Sequence, residues 1–264
     1  MRRGGSQGRW VGPVLTGAVL LAALVSLFYT PYDPYGISAA SRFLPPSPAH
    51  WFGTDNFGRD NFSRAITGAR YSLLVSVCTV ALSGSAGTAL GMFSGFTGGW
   101  ADEIVMRLTD ALSSFPGILL ALVTVSVLSG GKYAIIPALA IAFLPSFTRL
   151  SRSGTLRLKA RDFVDSARVS GASPLRIMFV HILPNLLPTL VPAAAIGLSN
   201  AILAESGMSY LGLGIQPPIP SWGRMLFEGQ SYLFRAPWEA LSAGLMMMIT
   251  VMGLHSLGDS LQEL

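Results

Sequence analysis

Six stretches of this 264-residue chain are apolar for long enough to cross a bilayer, and in lipid that leaves few folds open. They are Val11–Tyr29, Tyr71–Phe96, Asp110–Leu128, Tyr133–Leu150, Leu186–Glu205 and Ala240–Leu257. Hydrocarbon cannot hydrogen-bond a backbone, so runs of this length must satisfy their own N–H and C=O groups as helices. With 51% hydrophobic and 12% charged residues, the chain is far poorer in charge than a soluble domain, where about 25% is usual. Several runs contain Gly, Pro or Ser, which neighbouring helices can tolerate, so the runs read as parts of a bundle. The expected class is an all-α membrane protein with a bundle of six transmembrane helices.

Arg2, Arg3 and Arg9 precede the first run, as they would in a secretory signal. That run exceeds the usual apolar core of about 7–15 residues, and no small-residue cleavage site follows at once. A retained first helix is expected. With the N-terminus inside, the inner segments hold eleven of the eighteen basic residues, seven of them between Arg149 and Arg176. Basic residues gather on the cytoplasmic side of membrane proteins. The net charge of +5 therefore reads as topology rather than nucleic-acid binding, with both termini cytoplasmic in a multi-pass protein of the cell (inner or plasma) membrane. The single cysteine, Cys78, lies within a run, so no disulfide framework or cysteine metal site is available.

Residues 1–70 read as an N-terminal helix and an extracytoplasmic loop, and 71–264 as a core of five further spans. Pro31, Pro34, Pro45, Pro46 and Pro48 exclude continuous helix from the loop, while Gly-Thr-Asp and Gly-Arg-Asp supply turns before a short helix from about Asp60. In the second run Gly84, Gly87, Gly91 and Gly95 share a face, which suits close helix packing at the bundle centre rather than a pore lining. In the third, Arg107 and Asp110 are three apart and can pair, with a substrate ligand as the alternative; Pro116 should kink the helix. Gly130-Gly131-Lys132-Tyr133 lacks the hydroxyl residue of a Walker A loop. His50, His181 and His255 have no metal-ligand spacing, and no nucleophile elbow occurs. No catalytic residue, metal or cofactor is expected in the chain.

Between the fourth and fifth runs lies a polar, basic island, residues 158–184. Charged and apolar residues mix at helical spacing to Val169, with Phe163, Ala167 and Ser170 on one side and Arg161, Asp165 and Arg168 on another. Gly171 suits a left-handed C-terminal cap, Ser173 an N-cap and Pro174 a first helical residue, before Pro184 stops the second helix. Helix, sharp turn, helix is the result. Physically it serves either as a rigid element that transmits displacement or as an amphipathic hairpin on the headgroups.

The pattern D-S-A-x3-G-x9-H-I-L-P from Asp165 to Pro184 closely resembles the EAA loop of ABC importer permeases, whose general form is E-A-A-x3-G-x9-I-x-L-P. Asp165 and Ser166 depart from it by one methylene and by a small-residue exchange, and His181 looks like the peptide and nickel branch. His50–Arg64, Gly98–Asp110 and Glu205–Gly223 resemble the same branch. The resemblance implies a permease subunit of a dipeptide, oligopeptide or nickel importer. Its partners would be a second homologous permease, two cytoplasmic ATPases that bind ATP and magnesium, and an extracytoplasmic substrate-binding protein. Asp165, Ser166, Ala167, Gly171, Ala172, Ser173, Leu183 and Pro184 would then form the cytoplasmic coupling hairpin. Asp55, Arg59, Asp60, Glu205 and Trp222 would lie on the translocation or binding-protein side, with a capping or pairing role open for Glu205. Peptide is the expected cargo and nickel or a metal chelate the alternative. A secondary transporter, the reading from another class, would need buried acids near the bilayer midplane and matched broken helices.

Overall fold

The computed structural model describes residues 8–128 and 133–262; Arg2, Arg3 and the Gly130-Gly131-Lys132 sequence lie outside them. Ten helices follow in order: α1 Gly8–Val25, α2 Asn61–Thr97, α3 Gly99–Ser113, α4 Gly117–Val127, α5 Ile135–Lys159, α6 Asp162–Val169, α7 Pro174–Arg176, α8 Leu183–Tyr210, α9 Trp222–Gln230 and α10 Trp238–Gln262. A six-residue π-helical turn, Ile177–Ile182, joins α7 to α8. Among the described residues there is no β-strand, only an isolated bridge between Thr54 and Asp60.

At 37 residues α2 is about 55 Å long, well beyond the ~30 Å of hydrocarbon it has to cross. Asp60 caps its start by accepting from the Ser63 amide at 2.8 Å. Most of its first turns, from Asn61 to Ala69, are buried, with Ala65 and Ala69 in a cluster with Trp222 and Met225, and its last turns reach the hairpin at Met92 and Phe96. One stripe of α2 meets α5 at close range. A methyl added to Gly87, Gly91 or Gly95 would come within 2.9 Å of atoms of Leu144, Phe147, Thr148, Ser151 or Arg152, whereas at Gly84 the Phe147 ring is 3.8 Å away. The small-residue stripe is thus a packing face, as its spacing requires.

The third expected span is broken at Pro116, where a kink was expected. Ser114 to Pro116 break it, and α3 and α4 meet at 93°. Pro116 has no N–H to donate, and Ser113 and Ser114 turn their hydroxyls back on Thr109 and Asp110. Eleven residues make α4 only about 16 Å long. Of the described helices, α2, the unit from Pro174 to Tyr210, and α10 have the length and apolarity to cross a bilayer alone, and the bent pair makes four. The apolar part of α1, Trp10–Val25, is shorter. The helix of the fourth expected span continues past Leu150 to Lys159, so Arg149, Arg152, Arg157 and Lys159 all lie on α5.

Four apolar clusters run along the bundle. Ala65, Ile202, Trp222 and Met225 centre the first, beside α1 and α10; Val75, Leu139, Met208 and Ile215 the second; Val80, Phe147 and Ala201 the third. The fourth, Met92, Val164, Ile177, Ile182 and Leu186, roots the hairpin at the far end of α2 from Asp60.

Candidate functional site

The hairpin is held by few contacts, of which the two caps are visible in its sequence. Val164 and Ala167 are the buried residues of α6 and seat it on Met92, Ile177, Ile182 and Leu186. Phe163, expected beside Ala167 on one side, is instead exposed, because the buried stripe is 164 and 167. Gly171 ends α6 at φ 79°, while the Ala172 amide reaches the Ala167 carbonyl at 3.0 Å, five residues back. That is the six-to-one closure of a left-handed helix end. Ser173 then caps the next helix by accepting from the Arg176 amide at 3.3 Å, with Pro174 at its first position. Asp165 pairs with Arg168 at 3.2 Å in full view of solvent, a bond worth little on its own.

Pro184 does not stop the second helix. The chain passes from α7 through the π turn into α8 without interruption, with Pro184 in the first turn of α8. The wide turn explains why: Leu183 donates to Met178, five residues back, so the ladder is already offset where proline withdraws its N–H. Asp165, Ser166, Gly171 and Ser173 therefore cluster at an exposed tip, flanked by Val169 at 91% and Leu175 at 64% exposure. Ala167 faces the core and Ala172 is half-buried, while Leu183 and Pro184 lie at the root.

An ion pair that the sequence reading missed braces this end. Arg152 of α5 grips Asp102 of α3 through both Nε and Nη2, each at 2.5 Å, and Ser94 of α2 donates to the same carboxylate. Lys159 caps α2 by donating to the Phe96 carbonyl. The expected Arg107–Asp110 pair does not form. Arg107 turns to Glu103 at 3.5 Å, and Asp110 reaches across to Arg149 at 2.9 Å, since α3 and α5 lie side by side.

At the other end the loop of residues 30–60 folds into a cap over the start of α2. Its turns need glycine at Gly58, where φ is 77° and a Cβ would stand 1.9 Å from the Ser38 carbonyl oxygen. Asp55, Arg59, Asp60, Glu205 and Trp222 are all brought to this end, and all are buried. Arg59 Nε meets Asp55 at 2.5 Å, and Arg59 and Arg64 both reach Glu228 Oε2 at 2.8 Å. Arg224 takes the other Glu228 oxygen at 2.9 Å. Burial alone would raise the Glu228 carboxyl; the Arg64, Arg224 and Arg59 charges outweigh it and hold the group below its ordinary value. Asp60 accepts from the Ser63 amide and pairs with His50 at 2.8 Å. Glu205 is enclosed by hydroxyls, with Ser209 at 2.6 Å, Ser72 at 2.9 Å and Ser206 at 3.4 Å. Trp222 donates its indole N–H to the Ala65 carbonyl at 3.0 Å. These five residues join the cap, α2, α8 and α9 to one another.

Arg64, Glu228 and Glu239 escaped the sequence reading. Arg64 lies at the start of a long apolar helix and the other two far along the chain, and nothing in their spacing announces the meeting. Oxygens of Asp55, Glu228 and Glu239 come within 4.8 Å of one another. With guanidinium groups of Arg59 and Arg64 already on these carboxylates, the set is a charge network rather than a place for a cation.

Residues 87–264 match the family described as the inner membrane component of binding-protein-dependent transport systems. The chain belongs to that family. It is 39% identical over 255 residues to a glutathione transport system permease protein of Pectobacterium atrosepticum, covering 95% of this chain and 85% of the relative. Dipeptide transport system permease proteins of Alkalihalophilus pseudofirmus and Haemophilus influenzae are 37% and 36% identical, over 96% and 98% of this chain and 83% and 90% of theirs. Among solved structures, a chain from inward-facing crystals of the MetNI methionine ABC transporter superposes with a TM-score of 0.62 at 20% identity, over 75% of this chain and 94% of that one. The family's match covers the hairpin and most of the bundle, and its fold is the all-α architecture described above.

Proposed function

We propose that this chain is the translocation subunit of an ATP-driven importer of peptides, with six membrane crossings and both termini in the cytoplasm. The observation that carries the reading is the rigid hairpin. It is capped at Gly171 and Ser173, exposed at its tip and rooted in the core at the far end from the charged cap. An element that is rigid and uncovered suits mechanical contact with a partner. In this reading Asp165 to Ser173 seat in a cytoplasmic ATPase, which binds the ATP and magnesium. Closure of two such ATPases rocks this chain against a second permease, and the capped end meets a substrate-binding protein. The relatives whose names specify dipeptides and glutathione support peptides as cargo.

Affinity isolation of the tagged chain from membranes tests it. Two soluble ATPases and a second permease are expected to come with it, and the reconstituted assembly should take up peptide only with ATP. Uptake driven by an ion gradient in the absence of ATP would refute the proposal in favour of a secondary transporter.

A further inference from the structure

One side of the bundle carries polar side chains that no other described residue satisfies. Asn200 of α8 is exposed within an apolar span, and its carboxamide makes no hydrogen bond to another described residue. The hydroxyls of Ser146 on α5 and Thr189 on α8 are likewise exposed and unpaired. Elsewhere in the bundle hydroxyls turn back on the carbonyl four residues earlier, as at Ser76 and Ser83 on α2, Thr148 on α5 and Thr250 on α10. All three unpaired groups line a single groove of about 580 Å³ between α5 and α8. Asn200 also lines an adjoining hollow of about 320 Å³ beside the start of α4. No charged side chain among the described residues lines either hollow.

An unpaired carboxamide facing lipid would lose its hydration without replacement, so this face has to meet water or a polar group. A permanent helix seam would call for small residues at close approach, as on the α2 glycine face. Here Phe143, Phe147 and Ile196 wall a hollow instead. A carboxamide offers donors and an acceptor together, which matches a peptide bond and is indifferent to the side chains on either side of it.

We propose that the groove between α5 and α8 is a stretch of the substrate path, and that Asn200, assisted by Ser146 and Thr189, contacts the backbone amides of a peptide in transit. This rests on the importer reading and names the residues that touch its cargo. The absence of charge on the walls fits cargo of varied sequence.

The test uses the reconstituted importer in a Cys78→Ser background. Asn200→Cys is probed with the membrane-impermeant reagent 2-sulfonatoethyl methanethiosulfonate, with and without MgATP and vanadate. The expected result is modification at a rate that differs between the two nucleotide states. In parallel, Asn200→Leu should lower trialanine uptake about tenfold, the scale of one lost hydrogen bond, with assembly intact. No reaction with the sulfonate reagent overturns the proposal, because the side chain then faces lipid or is sealed against the second permease. Unchanged uptake by Asn200→Leu overturns it as well. If the unmutated complex shows no ATP-driven uptake, the importer reading fails separately, and thiol reactivity alone then decides whether the groove is an aqueous path.

Discussion

Replacing Gly171 alters the backbone of the hairpin while adding no clash. The residue sits at φ 79°, and a Cβ built there meets nothing within 4 Å, so the cost is conformational alone. For an L-residue held left-handed it is about 1–2 kcal/mol, with valine at the upper end because of its β-branch. The hairpin has little to set against that. Burial of Val164 contributes about 2 kcal/mol, and the Ser173 cap about 1 kcal/mol. A strain near 2 kcal/mol shifts the equilibrium about thirtyfold toward the released turn and cancels most of that stabilisation. Asparagine tolerates the left-handed region, so the expected order of function is Gly, Asn, Ala, Val. The assay is peptide taken up per ATP hydrolysed in the reconstituted importer. An order that follows volume, with alanine better than asparagine, would mean that position 171 acts by contact with a partner, and the turn argument would be refuted.

Glu228→Gln leaves Arg64, at 1% exposure, without its shortest ion pair, and should cost about 3 kcal/mol at neutral pH. Because the Glu228 carboxyl is held below its ordinary 4.5, its contribution is fully present above that value and lost as pH falls through the folded one. The wild-type melting temperature should therefore drop on acidification below pH of about 4.5, and the Gln variant should show less of that slope; equal slopes would contradict the assignment. Gly91→Ala puts a methyl 2.0 Å from Ser151 Oγ and 2.2 Å from the Thr148 carbonyl, and should destabilise by about 1–3 kcal/mol or more. Gly84→Ala, with 3.8 Å to spare, should be close to neutral, and similar melting temperatures for the two would argue against tight α2–α5 packing. Glu205→Ala removes the acceptor shared by Ser72, Ser206 and Ser209 and should cost about 1–3 kcal/mol, with Gln recovering part of it; a neutral Ala variant would rule out the proposed tie.

The membrane class, the stripe at Gly87, Gly91 and Gly95, and the caps at Asp60, Gly171 and Ser173 were all legible in sequence. Each depends on residues within a few positions of one another, read through the helical period or through one turn's dihedral requirements. Pro184 misled because its local meaning is a helix stop, and whether a π turn absorbs the missing donor depends on what the flanking residues pack against. The Arg107–Asp110 pair failed for a related reason: spacing on one helix identifies possible partners, but Arg149 on α5 was a better one. The five residues assigned to the outer side lie at one end of the bundle, and their burial was invisible in the sequence, because hydropathy cannot reveal a charge network closed over itself.

The sequence by itself determined the periods, the turns and the composition: apolar helices, a capped hairpin between two of them, and a proline- and glycine-rich loop that could not be helical. These follow from chain-local energies, which every residue carries wherever it is placed. Tertiary structure alone decided that Asp55, Arg59, Arg64 and Glu228 would meet, that Asp102 would hold Arg152, that the kink expected at Pro116 would reach 93°, and that Asn200 would be left without a partner among the described residues. Charges and amides take their roles from what surrounds them, and those neighbours come from distant parts of the chain, brought together only when the helices pack.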